Sequence, residues 1–207
     1  MSPKLRWGLW IVWGLLLIAV ALFWFASRGF TNYQTFGTRL VPPRPAYDFT
    51  LIDPQNKPLK LSDFRGKVVL IFFGYVGCPD VCPLTMLELS KIYKALTPQE
   101  QARIQVLMIT TDPKRDTPER VGRYARAFHP SFIGLAGSAE AIAKTAQQYG
   151  AGYFVEKAES PERYFVAHTA AVFLVNPIGQ YELVYSKGKT AQTKRMVRDV
   201  RWALRKI

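Results

Sequence analysis

Cysteine is nearly absent from this 207-residue chain, which has only Cys78 and Cys82. Two thiols cannot staple a disulfide scaffold or build a four-thiolate zinc site. The pair is therefore a local bridge, a redox couple or a metal pincer. Histidine is equally scarce, with only His129 and His168. No acidic residue precedes Asp48, and over the whole chain 28 Lys and Arg outweigh 15 Asp and Glu, giving a net charge of +13. A field of that size favours acidic partners or anionic lipid. The chain carries no finger, RNA-binding signature or Gly/Arg tract, so nucleic acid is not an expected partner. Internal repeats and low-complexity tracts are missing as well, and a composition that is 49% hydrophobic predicts a folded core.

What the chain does have begins with an uncharged run from Trp7 to Ser27, preceded by Lys4 and Arg6 and closed by Arg28. It matches the roughly 20 apolar residues that span a bilayer and predicts a single N-terminal transmembrane helix within residues 1–28. Ala19-Val20-Ala21 offers a signal-peptide reading, but the run exceeds the roughly 7–15 apolar residues of a cleavable leader, so a retained anchor is expected. Basic residues flank both ends and leave the orientation open. Residues 29–45, broken by Pro42-Pro43-Arg44-Pro45, predict an extended linker. A folded domain over 46–207 then opens on a short hairpin, Phe49 to Leu61, turning at Asp53-Pro54-Gln55-Asn56.

Lys67 to Phe73 is a continuous apolar run rich in branched and aromatic residues between Gly66 and Gly74, the pattern of a strand buried on both faces. After the cysteines, Pro83 at a first helical turn and Leu84, Leu87, Leu89, Ile92 and Leu96 predict a helix ending before Pro98. A second buried strand follows at Ile104 to Ile109, then helices from Thr117 to Phe128 and from Gly137 to Tyr149. Tyr153-Phe154-Val155 with Tyr164-Phe165-Val166 predict a hairpin, and Ala170 to Val175 with Gln180 to Tyr185 predict another. A basic helix from Thr190 closes the chain, with Arg198, Arg201 and Arg205 on a stripe free to touch lipid headgroups. Strand, helix, strand, helix, antiparallel strands and a closing helix make up the order of an α/β thioredoxin-like domain.

In that order Cys78 and Cys82 fall between the end of a buried strand and the start of a helix. Backbone N–H groups and the helix dipole favour thiolates there. Three residues separate the cysteines, a wider bite than the two of a thioredoxin, and two soft donors favour copper(I) over magnesium, calcium or zinc. His168 lies just ahead of a strand whose preceding loop faces the cysteine loop in such a fold, so its imidazole can complete a site of two sulfurs and one nitrogen. A thioredoxin-type oxidoreductase carries a cis-proline at that loop, and Ala167-His168-Thr169 has none. Asp116, with Glu119 three residues on, reads as a helix cap. Asp112 reads equally as an orienting group or a partner contact. Met86, one turn beyond Cys82, reads as core packing.

Phe73-Gly74-Tyr75-Val76-Gly77-Cys78-Pro79-Asp80-Val81-Cys82-Pro83 resembles the signature of the Sco/SenC family. Thr111-Asp112-Pro113-Lys114-Arg115-Asp116-Thr117-Pro118 resembles that family's second motif and His168-Thr169 its third, and the similarity covers about Pro45 to Leu204. The resemblance implies a membrane-anchored copper-binding protein of thioredoxin fold that serves assembly of the dinuclear copper centre of cytochrome c oxidase, with Cys78, Cys82 and His168 as ligands to one copper ion. One departure is Ala167, where the family commonly has an acid, and it bears on how the imidazole is oriented.

The leading expectation is a copper metallochaperone whose partner is the copper-centre subunit of the oxidase, with other copper chaperones as further partners. The alternative is a thiol–disulfide reductase, in which Cys78 and Cys82 are the redox pair that keeps the subunit's cysteines reduced. A peroxidase reading is weaker, because Thr85 follows both cysteines instead of preceding them. Vicinal thiols and copper insertion fit a compartment outside the cytosol. The expected location is the bacterial inner membrane with the domain in the periplasm, ahead of the mitochondrial inner membrane.

Overall fold

A computed structural model describes residues 3–29, 33–156, 160 and 164–206. It divides into two units, Met1–Gln34 and Thr35–Ile207.

The first unit is one helix, α1 (Pro3–Gly29). Its described large apolar side chains, Trp10, Trp13, Leu17 and Phe23 among them, are all more than half exposed. Among the described residues no helix is long and apolar enough to cross a membrane.

The second unit contains β1 (Thr38–Pro45), β2 (Thr50–Ile52), β3 (Pro58–Lys60), β4 (Val68–Gly74), α2 (Val81–Lys94), α3 (Pro98–Gln101), β5 (Ile104–Thr110), α4 (Pro118–Phe128), β6 (Ile133–Leu135), α5 (Ala139–Tyr149), β7 (Tyr153–Val155), β8 (Val166–His168), β9 (Val172–Val175), β10 (Gln180–Tyr185) and α6 (Thr193–Ala203). Six strands form one sheet in the order β1-β10-β9-β4-β5-β6, while β2–β3 and β7–β8 are separate pairs. β4, β5 and β6 run parallel, and β9 lies antiparallel on the other side of β4. The central strand is therefore β4, as its apolar run predicts.

Side-chain alternation along β4 assembles two cores. Val68, Leu70 and Phe72 pack with Met86, Leu89 and Ile92 of α2 and with Met196 and Val200 of α6. Val69, Ile71 and Phe73 pack with Ile142 and Tyr149 of α5 and with Phe49 and Leu51 of the N-terminal hairpin. Every residue of β4 and β5 is buried, and each large apolar side chain so buried stabilises the fold by roughly 1.5–3 kcal/mol. This double-sided burial fixes the end of β4, and the cysteine loop grows from it.

Three expectations are corrected. The expected linker over 29–45 is extended over Thr38–Pro45, but it is paired as edge strand β1, antiparallel to β10. Prolines are tolerated at an edge, where their missing N–H breaks no internal ladder. The second strand of the Tyr153 hairpin is β8, in the register Tyr153↔His168, Phe154↔Ala167 and Val155↔Val166. His168 thus ends a strand instead of lying in a loop. Part of the turn predicted between those strands lies outside the described residues. The cap of α4 is Thr117, whose hydroxyl accepts from Arg120 N, and Asp116 is free for another role.

Candidate metal centre

β4 ends at Gly74, and the loop Tyr75–Asp80 leads directly into α2. Cys78 is half-buried and Cys82 fully buried, and neither is in a disulfide. The Cys82 N–H donates to Cys78 Sγ at 3.4 Å, so the first turn of α2 folds one sulfur over the other. His168 is brought in from β8, with Nε2 3.3 Å from Cys82 Sγ. The two sulfurs and the imidazole nitrogen all lie within 4.8 Å of one another, and no fourth His, Cys, Asp or Glu joins them among the described residues. Two soft sulfurs and one borderline nitrogen fit a three-coordinate soft ion and leave a zinc shell incomplete.

Electrostatics separates the two thiols. Burial pushes the Cys82 thiol well above its ordinary range, and the nearby charges of Cys78 and Asp116 push the same way. The expectation that the helix start makes both groups thiolates is therefore corrected for Cys82, because loss of water outweighs the dipole. A cation that replaces its proton restores the balance. Burial also pulls His168 below the usual histidine range, against the opposing pull of the Thr169 and Phe73 backbone. The imidazole is neutral near pH 7 and ready to donate a lone pair.

The ring of His168 is held by packing. It meets Phe72 and Tyr75 edge to face, each at 5.9 Å between centroids. Its Nδ1 is buried and makes no hydrogen bond among the described residues, consistent with Ala167 supplying no carboxylate. A second tie acts on the backbone: Val166 N donates to Tyr75 Oη at 3.3 Å.

Residues of the second motif brace this arrangement. Asp116 Oδ2 accepts from Val76 N at 3.0 Å and from Thr110 Oγ1 at 2.7 Å, tying the cysteine loop to the end of β5. Asp112 forms an ion pair with Arg115 and accepts from Tyr164 Oη at 2.8 Å. Arg115 in turn donates to the Tyr164 carbonyl at 3.1 Å and lies 3.6 Å above the Tyr164 ring. The clamp grips the chain four residues before His168. Arg115 and Tyr164 were not candidates from sequence. The only local signal was an acid and a base three apart in a loop. Met86 is wholly buried in the core, as expected.

A cavity of about 560 Å³ opens onto Cys78 and His168, with Tyr75, Asp80, Phe165 and Lys187 in its wall. Cys82 does not line it. Phe154, Val155 and Phe165, on and beside the β7–β8 pair, are each more than half exposed. Close packing behind the site leaves no room to spare: a Cβ on Gly74 would lie 2.8 Å from Cys82 Sγ and 2.7 Å from the Phe72 ring. Gly74→Ala is expected to destabilise the domain by about 1–3 kcal/mol, read as a lower denaturant midpoint, and an unchanged midpoint would show that the sulfur can move aside freely.

The SCO1/SenC family model matches residues 40–205. The mitochondrial protein SCO2 homolog of Bos taurus is 36% identical over 146 residues, 70% of this chain and 55% of that protein. The chain spans about half the length of the curated relatives it matches. Among solved structures, apo Sco1 of Thermus thermophilus superposes with a TM-score of 0.76 at 47% identity, covering 83% of this chain and 98% of that one. Arabidopsis thaliana ScoI with copper bound gives 0.68 at 29% identity, covering 75% and 98%.

Proposed function

The chain belongs to the SCO1/SenC family, and from that premise we propose that it carries a single copper ion on Cys78, Cys82 and His168 and delivers it to the dinuclear copper centre of cytochrome c oxidase. The observation that carries this reading is the convergence of those three donors, Cys78 from the loop after β4, Cys82 from the first turn of α2 and His168 from the end of β8, within 4.8 Å. Delivery needs an exposed ligand at which exchange can begin. Cys78 and His168 border the open cavity while Cys82 stays behind them, so an incoming thiolate or imidazole meets the outer ligands first. The apolar rim of Phe154, Val155 and Phe165 suits docking of a protein acceptor. Copper-bound relatives, such as the Arabidopsis thaliana protein, support the choice of metal.

Residues 1–28 act as the anchor in this reading, with Trp7 to Ser27 crossing the bacterial inner membrane and the domain in the periplasm. The test is a copper(I) titration of the reduced full chain. It is expected to saturate at one ion per chain, and His168→Ala is expected to weaken binding while leaving two sulfur ligands. A chain that binds no copper, or binds equally without His168, overturns the site.

The asymmetry of the thiols favours a second reading beside the first. The more exposed Cys78 can attack a disulfide of the oxidase subunit, giving a mixed disulfide. Cys82 then attacks Cys78, releases the subunit's dithiol and leaves the Cys78–Cys82 disulfide, a transfer of two electrons. Because His168 takes no part in that exchange, a His168→Ala chain that has lost copper yet still supports oxidase assembly would favour the reductase.

A further inference from the structure

α2 and α6 pack side by side against the same face of the sheet, and together they expose charge of one sign. Each helix contains a single acid, and both acids are buried and committed. Glu88 of α2 accepts from Thr190 Oγ1. Asp199 of α6 accepts from Phe36 N at 3.0 Å, Gly37 N at 2.8 Å and Tyr185 Oη at 3.0 Å. Lys91, Lys94, Lys194, Arg195, Arg198 and, just beyond α6, Arg205 remain exposed. Arg201 is set apart, since Glu100 holds it through two hydrogen bonds at 2.7 and 3.1 Å.

The same helix anchors the point where the chain enters the domain. Phe36 is fastened to α6 by Asp199, Lys189 Nζ donates to its carbonyl at 2.8 Å, and the Arg195 guanidinium lies 4.0 Å over its ring. Only residues 30–34 separate the end of α1 from Thr35, a connection that reaches at most about 20 Å when fully extended.

We propose that the exposed basic face of α2 and α6 is a docking surface for anionic lipid headgroups, a second membrane contact beside the anchor. The proposal rests on the reading of α1 as that anchor. Basic residues are attracted to an anionic bilayer within about a Debye length of roughly 8 Å, and a chain whose first segment enters a bilayer is held at that bilayer by its covalent connection. A free acidic protein has no such tether, so the bilayer is the favoured occupant. Docking this face leaves the cavity over Cys78 and His168, which these basic residues do not line, open to a protein acceptor.

The test uses the full chain in nanodiscs of phosphatidylcholine, with or without phosphatidylglycerol, and reads lysine acylation residue by residue. Lys91, Lys94 and Lys194 are expected to react several-fold more slowly on the anionic discs. The slowing should vanish in about 0.5 M salt and in an Arg198→Glu/Arg205→Glu double variant, while the exposed Lys60 and Lys114 stay unchanged. Equal rates on both discs overturn the surface, and slowing reproduced by inorganic phosphate alone overturns lipid as its ligand. Retention on the discs through the high-salt wash reports the anchor separately. Slowing on anionic discs without that retention upholds the surface and overturns the anchor.

Discussion

Cys82→Ser is expected to abolish copper binding by the full chain while leaving it folded. Cys82 is the wholly buried member of the pair, and it touches both other donors: its N–H reaches Cys78 Sγ and its sulfur lies 3.3 Å from His168 Nε2. Serine retains the backbone contact but replaces a soft, ionisable sulfur with a hard hydroxyl that does not ionise near neutral pH. The remaining ligands are one half-exposed thiol and one imidazole. Loss of an outer-shell partner lowers metal affinity by roughly 10–100-fold, and loss of a buried ligand exceeds that. The proton makes the same case. Burial holds the Cys82 thiol protonated, so copper must displace that proton, and the apparent affinity of the unaltered chain should rise with pH by about tenfold per unit for each proton displaced. His168 adds little to this slope above pH 6.5, because its lowered pKa keeps the ring neutral there. Competition titrations at several pH values measure both effects. A Cys82→Ser chain with undiminished affinity, or a flat pH profile in the parent, would sink the assignment.

The donors themselves were legible in the sequence because scarcity made them so: two cysteines and two histidines leave few combinations, and strand-loop-helix patterning places the cysteines. The βαβ core was equally legible, since β4 and β5 are unbroken apolar runs. What escaped notice depends on contacts that no local pattern encodes. β1 carries three prolines and reads as a spacer until its partner β10, far along the chain, is known. Asp116 and Thr117 are both plausible caps, and only the need of Val76 N and Thr110 for an acceptor decides between them. The protonation of Cys82 is a contest between the helix start and burial, and the depth of the sulfur is a tertiary quantity. Tyr164 reaches Asp112 across 52 residues.

That last contact carries the other large prediction. Asp112→Ala is expected to destabilise the domain by about 3 kcal/mol, toward the low end of the cost of breaking a buried ion pair, because about a quarter of the Arg115 side chain remains in solvent. Two groups lose an acceptor at once: the Arg115 guanidinium, which pairs with the carboxylate, and the Tyr164 hydroxyl held at 2.8 Å. Among the described residues no other carboxylate stands at the Tyr164 hydroxyl, which is left with an unmet desolvation penalty, while Arg115 keeps its bond to the Tyr164 carbonyl and loses the charge it pairs with. Asp112→Asn retains an oxygen for Tyr164 but loses the charge that Arg115 requires, and should fall between the parent and the alanine variant. The consequence for the site follows from connectivity. Arg115 grips Tyr164 by ring and carbonyl, and Tyr164 leads through Val166 into His168. A loosened clamp therefore frees the imidazole arm while the Cys78–Cys82 turn stays intact. Copper affinity should drop in Asp112→Ala toward that of His168→Ala and no further, whereas a general loss of structure would also take the sulfur ligands. Denaturant unfolding together with copper competition on the same variants separates these outcomes. An Asp112→Ala chain with the parent's midpoint and affinity would show that the clamp holds nothing in place.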